Sequence, residues 1–97
     1  MHPRHAGELD FDDANEGHLA RHRISLTEVG EVWLGGPVFV PNKRGMAALW
    51  LMLGDTAAGR SLTVAVEVDE VRQALRPITG WESTDAELSR WRAKGGG

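Results

Sequence analysis

The chain has 97 residues, a net charge of −3 and a hydrophobic fraction of 41%. This length supports one compact domain with a modest core, and the apolar content excludes a disordered chain. The chain has no cysteine and no apolar run near the roughly 20 residues of a membrane span, which excludes disulfides, thiolate metal sites and a transmembrane helix. We therefore expect a cytoplasmic protein, and the charge argues against a strongly basic nucleic-acid binder.

The N-terminal residues predict a loose arm followed by a helix. The arm contains Pro and Gly and shows no periodicity. Asp12 or Asp13 can cap a helix that runs to about Arg21 or His22, and Asp13 and Glu16 have the spacing of a capping box. We expect three parts in the chain: a flexible arm, a single domain and a disordered tail, over residues 1–9, 10–94 and 95–97.

A second helix follows at once. Ser25 and Glu28 form another capping box, which predicts a short helix from Leu26 to about Leu34, and Gly35-Gly36 then ends it. The two helices form an αα-hairpin.

Four strands are predicted next, over Pro37–Pro41, Met46–Leu53, Ser61–Val68 and Val71–Thr79. The first is flanked by prolines and should be an edge strand. The second is continuously apolar, which is typical of a central strand covered on both faces. Pro77 in the fourth strand requires an edge position or a bulge.

A third capping box, Thr84 with Glu87, opens a last helix from Asp85 to about Lys94. The order α-α-β-β-β-β-α predicts an α+β domain, in which helices pack on one face of a four-stranded antiparallel meander.

A cluster of His18, Arg21, His22 and Arg23 lies at the end of the first helix. The two histidines are four residues apart, as in a helical metal pair, but no Glu follows His18 and no motif places a third ligand. We therefore predict no metal and no cofactor. The cluster is either a solvated basic helix end, where His22 binds a free carbonyl, or part of a site for phosphodiester chemistry.

The order of several short motifs resembles the BrnT toxins. These motifs are Phe11-Asp12-Asp13, Asn15, His18, Arg21-His22, Ile24 and Arg76-x-Ile78-Thr79, together with the capped helix and the meander between them. BrnT toxins are ribonuclease toxins of type II toxin–antitoxin systems with a RelE-like fold. The resemblance covers about residues 9–92.

Some positions match the family and others depart from it. Glu87 matches a helical Glu, and Trp91 occupies the usual Tyr position. Phe11 stands where the family has Trp, Arg23 where it has Gly, and Trp81 where many members have a second Arg. Because a guanidinium is missing at Trp81, one candidate for stabilising charge in the transition state is lost.

The resemblance implies a metal-independent endoribonuclease that uses the 2′-hydroxyl of RNA as nucleophile. His22 would be the general acid or base, with Arg21, Arg76 and Thr79 around the phosphate. The implied substrate-binding residues are Lys43, Arg44, Trp81, Glu87 and Trp91. The implied partner is a cognate antitoxin, a small ribbon-helix-helix protein, and DNA would be contacted only through it.

The alternative function is a catalytically weakened binding module that acts through its antitoxin complex. Independently of either function, a structural interpretation pairs Arg76 with Glu67 on the neighbouring strand and places Trp91 in the core. Trp81 is equally compatible with a lid and with a stacking platform. An active site requires His22 and Arg76 to converge within about 8 Å, the span of one phosphate with a hydrogen bond on each side.

Overall fold

The computed structural model describes residues 2–43 and 50–94. The helices are α1 (Asp13–Arg21), α2 (Leu26–Leu34) and α3 (Asp85–Ala93). The strands are β1 (Glu8–Leu9), β2 (Val38–Pro41), β3 (Trp50–Asp55), β4 (Ser61–Asp69) and β5 (Ala74–Glu82), and a 3-10 turn, Pro3–His5, precedes β1. No helix in these ranges is long and apolar enough to cross a membrane.

The α+β class is confirmed, but the predicted four-stranded antiparallel sheet is wrong. The sheet has five strands in the order β1-β5-β4-β3-β2, and β1 runs parallel to β5. Glu8 and Leu9, which we expected in a loose arm, form β1 opposite Ala74 and Leu75. Two residues are too few to produce an alternating pattern, so only their pairing partner defines this strand.

The helix caps explain why the predicted helices form where they do. Ser25 with Glu28 and Thr84 with Glu87 both make reciprocal capping boxes. Asp12, not Asp13, caps α1, and its carboxylate accepts a hydrogen bond from the Asn15 amide at 2.8 Å. These caps satisfy amide groups that a helix N-terminus otherwise leaves without partners.

The helices cover both faces of the sheet, which corrects the expected one-sided packing. On the first face, α1 and α2 pack over a core that includes Leu19, Val29, Met52 and Val64. On the second face, α3 brings Trp91 against a smaller cluster of Val40 and Leu53, with Val38 and Leu51 beside it.

Strand β3 lies inside the sheet, between β2 and β4, and β2 is the predicted edge strand. Met52 belongs to the first-face core and Leu53 to the second-face cluster. The prediction of a central strand covered on both faces is therefore confirmed for Trp50–Leu53, whereas residues 46–49 lie outside the described residues.

Strand β5 contains the bulge that Pro77 predicted. Ala65 pairs with Thr79 and Val66 with Pro77, so Ile78 is one residue more than β4 can match. The strand begins at Ala74 instead of Val71, because the preceding Gln73 has a left-handed backbone (φ 53°).

Candidate functional site

A groove of about 590 Å³ lies between the second face of the sheet and α3. We call it the α3-face groove. Its floor and walls come from four strands and from α3 with the residues before it. They are formed by Val40, Lys43, Leu51, Leu53, Ala65, Thr79, Trp81, Glu87 and Arg90, with Pro41, Asn42, Thr84 and Ala86.

Strand register explains why residues distant in sequence share this groove. Val40 pairs with Leu51, Leu51 with Ala65, and Ala65 with Thr79. Paired residues in neighbouring strands point to the same face. Thr79 and the next residue on that face, Trp81, therefore project from β5 toward α3.

Two of the charged side chains in the groove are free among the described residues. Lys43 follows β2 and Arg90 lies on α3, and neither side chain bonds to another described residue. Glu87 is engaged, because its carboxylate accepts the Thr84 amide at 2.8 Å and the Trp81 indole N–H at 3.0 Å. The charges free to meet a ligand are therefore positive.

The structure brings together Lys43, Thr79, Trp81 and Glu87, four of the residues implied as site residues. Trp91 lies under α3, only 8% exposed, and its indole N–H donates to Asp55 at 3.1 Å. It is a core residue, as in the alternative interpretation. Arg44 lies outside the described residues.

The structure does not bring His22 and Arg76 together. Arg76 has its Nη2 atom 3.7 Å from a carboxylate oxygen of Asp12, at the beginning of α1. Arg21 ends α1 and His22 is its C-cap. Ten residues at the helical rise of about 1.5 Å separate Asp12 from His22 by about 15 Å along the axis. The expected convergence within 8 Å is therefore not found.

The pairing of Arg76 with Glu67 is found only in part. The two residues are partners in strand register. The ion pair that Arg76 makes is instead with Asp12. At this distance and exposure it contributes little to stability.

Arg60, which sequence analysis did not identify, binds the main chain directly after α1. Its guanidinium donates to the backbone carbonyl of Arg23 at 2.7 Å and to that of His22 at 3.4 Å. It also pairs with Glu28 at 3.1 Å and with Glu82 at 3.2 Å. The free carbonyls at this helix end are therefore bound by an arginine from the β3–β4 connection, and no sequence motif signals that contact.

The pKa of Glu28 lies below its ordinary value of 4.5. The main cause is the hydrogen bond from the Ser25 backbone amide, and the Arg60 guanidinium acts in the same direction against the opposing effect of burial. The ionised carboxylate is thus part of the α1–α2 connection.

His18 and His22 have no third ligand nearby. Among the described residues, no group of three or more His, Cys, Asp or Glu is placed to hold a metal ion.

Comparisons with protein-family models, with curated proteins and with solved structures find no match to this chain.

Proposed function

We propose that this chain is the toxin of a type II toxin–antitoxin module and that it acts on RNA at the α3-face groove. One observation carries the proposal. Lys43, which follows β2, and Thr79 and Trp81 of β5 are implied as site residues by the resemblance, and they line one groove. Arg90 of α3 adds a second free cation to it.

The groove contains groups that can bind a phosphodiester and a base of single-stranded RNA. Lys43 and Arg90 supply two positive charges, and the Thr79 hydroxyl, which has no partner among the described residues, supplies a hydrogen bond. The indole of Trp81 is fixed by Glu87, so a base that stacks on it loses little conformational freedom of the protein.

In the reaction the 2′-hydroxyl loses its proton to water and its oxygen attacks phosphorus. The new O–P bond forms as the bond to the 5′-oxygen breaks, and water gives a proton to that oxygen. The products are a 2′,3′-cyclic phosphate and a 5′-hydroxyl. The two cations would stabilise the charge of the pentavalent phosphorane, which is often the largest contribution to such catalysis. His22 lies outside the groove, so under this proposal it does not move the proton.

A second function, a binding module without cleavage, is favoured by the groove's lack of a free base. Its described lining contains no imidazole, and its carboxylate, Glu87, is bound to Trp81 and Thr84. Such a module would bind its antitoxin, and the complex would contact DNA through the antitoxin. Co-expression with a small ribbon-helix-helix protein should then give a complex that weakens at high salt.

The proposal is tested with purified protein and a fluorescent single-stranded RNA. Binding is measured by anisotropy and cleavage on denaturing gels. Arg90→Ala and Lys43→Ala should each weaken binding and slow cleavage. Arg92→Ala is the matched control, because Arg92 is an exposed arginine of the same helix that does not line the groove.

The His22→Ala variant distinguishes cleavage in the α3-face groove from cleavage at the end of α1. Cleavage that survives His22→Ala and is lost in Arg90→Ala supports the groove. Cleavage lost in His22→Ala but retained in Arg90→Ala places the chemistry at the end of α1 and contradicts the proposal. Binding without cleavage by the unaltered protein leaves the binding module as the function.

A further inference from the structure

The N-terminal residues form a strap across the first face of the sheet. The strap comprises residues 2–9, from His2 to the end of β1. At its beginning the His2 ring lies over β2 and β3, with its centroid 4.8 Å from that of Trp50 and 6.1 Å from that of Phe39. At its end, β1 pairs with β5. The strap thus spans the sheet on the face that carries α1 and α2.

The two ends of the strap are held differently. The end near β5 is held by main-chain bonds, since the Gly7 amide donates to Gln73 and the Asp10 amide to Leu75, each at 2.8 Å. For Pro3–His5, every hydrogen bond found among the described residues stays within the strap. The fully buried Pro3 and the His2 ring pack this end against the sheet.

The hydrogen bond of the His2 ring requires a neutral imidazole. Its Nδ1 atom accepts the backbone amide of Arg4 at 3.1 Å. A protonated imidazole has no acceptor atom, so it loses this bond. The charged groups that act on His2 are Arg4, His5 and the amino terminus, and all three are positive or become so on protonation. The rings of Phe39 and Trp50 supply no counter-charge.

We propose that His2 is a pH-sensitive latch, whose protonation releases the first residues of the strap from the sheet and uncovers Trp50 and Phe39. This inference is independent of the proposed function, because the strap lies on the face opposite the α3-face groove. The uncovered rings would form an aromatic patch that is closed at neutral pH.

The pKa of His2 in the closed strap determines the direction of the pH effect. Burial first, and then the nearby positive charges, lower the pKa of His2 below its ordinary value of 6.5. A group whose pKa is lowered by closure favours the closed strap at high pH. This contribution is lost as the pH falls through the lowered pKa.

One interaction opposes the release of the strap when His2 is protonated. A cation over an indole ring is attracted by it, and the two rings here are close, with an interplanar angle of 57°. If this attraction exceeds the loss of the hydrogen bond and the repulsion from Arg4, acidification tightens the latch.

The test is an NMR titration of the full chain between pH 8 and pH 5. We expect contacts between the His2 and Trp50 rings at pH 8, and a titration midpoint for His2 below its ordinary value of 6.5. Those contacts should disappear on protonation. The Arg4 amide loses its bond to the His2 ring on opening, so its exchange, corrected for its intrinsic pH dependence, should accelerate about tenfold for each unit by which closure lowers the pKa of His2.

Two variants complete the test. His2→Phe keeps a ring on Trp50 but cannot be protonated, so its ring contacts should persist at both ends of the titration. His5→Gln should leave the transition in place. A wild-type His2 that titrates at or above 6.5 with its Trp50 contacts intact overturns the proposal. So does a His2→Phe protein that opens with pH as the wild type does.

Discussion

Arg23 has a left-handed backbone, with φ 59°, directly after the C-cap of α1. This conformation brings Cβ close to the following carbonyl oxygen and costs roughly 1–2 kcal/mol for a residue other than glycine. Glycine, which has no Cβ, adopts the same conformation without this cost. The arginine therefore stores local strain that the surrounding contacts, including the bond from Arg60 to its carbonyl, must offset.

Replacing Arg23 by Gly should stabilise the fold by about 1 kcal/mol. The bond from Arg60 uses the main-chain carbonyl of Arg23, which the glycine retains. Urea unfolding measures the change. Gln73→Gly, at φ 53°, should change stability in the same direction. Ala20→Gly, within α1, should destabilise by about 1 kcal/mol, because glycine is a poor helix residue. A destabilised Arg23→Gly protein would show that the arginine side chain makes a contact worth more than the strain.

At the scale of the elements, one guanidinium joins the α1–α2 connection to the sheet. Arg60 contacts the carbonyls that end α1, Glu28 of α2 and Glu82 of β5. The Arg60 and Glu28 side chains are only 25% and 26% exposed, so their ion pair is less screened than a surface pair. The position of the αα-hairpin on the first face therefore depends on a charge that the β3–β4 connection provides.

Stability should depend on pH through Glu28. Because folding lowers the pKa of this carboxylate, its contribution is complete above the unfolded value of 4.5 and is lost as the pH falls through the lower folded value. Glu28→Gln should cost about 1 kcal/mol at pH 7. The difference between variant and wild type should shrink below pH 4.5, as followed by urea unfolding at several pH values. A difference that stays constant down to pH 3 would mean that the charge of Glu28 contributes nothing.

Helix α3 is attached to the sheet mainly through Trp91. This residue is 8% exposed, packs on Val40 and Leu53, and donates its indole N–H to Asp55. Trp91→Ala should destabilise the protein by about 3–5 kcal/mol, because it leaves a cavity and removes one of the hydrogen bonds to the Asp55 carboxylate. Leu34→Ala is the control: Leu34 is 80% exposed, and its loss should change stability by less than about 0.5 kcal/mol. Thermal unfolding of both variants gives the comparison.

For the whole molecule, local signals in the sequence predicted most of the fold. Capping boxes fixed the beginnings of α2 and α3, and apolar runs located β3 and β4. The addition of β1 and the placement of α3 on the second face could not be predicted in this way. Both depend on pairing between distant residues, and a two-residue strand or a helix with one buried Trp carries too little pattern to specify its partner.

The site was harder to predict than the fold. The sequence indicated Lys43, Thr79 and Trp81 as candidate site residues but gave no evidence that they lie close together. The strand register explains why they do. Arg90 was missed, because an arginine in the last turn of a helix is common on any surface. His22 and Arg76 were expected to converge because two motifs from one family were assumed to share a site.

The charge of the whole molecule limits RNA binding to a local effect. The net charge is −3, so attraction at long range is weak, and the two free cations of the groove must supply the phosphate contacts. With two contacts to single-stranded RNA, the logarithm of the binding constant should fall with the logarithm of salt concentration with a slope of about −1.4. Arg90→Ala should reduce the slope by half. A much steeper slope would mean that cations outside the groove bind the RNA.

The bulge in β5 has a consequence for how this chain tolerates changes in length. Arg76 and Thr79 are three residues apart and would point to opposite faces of a regular strand, yet their partners Glu67 and Ala65 lie on the same face of β4. The surplus residue Ile78 makes this possible. A one-residue deletion at Ile78 would leave every other pair of β4 and β5 in register, whereas the same deletion elsewhere in β5 would turn the residues on one side of it to the opposite face. The chain should therefore lose a residue at this point of the strand without rebuilding the core or the groove.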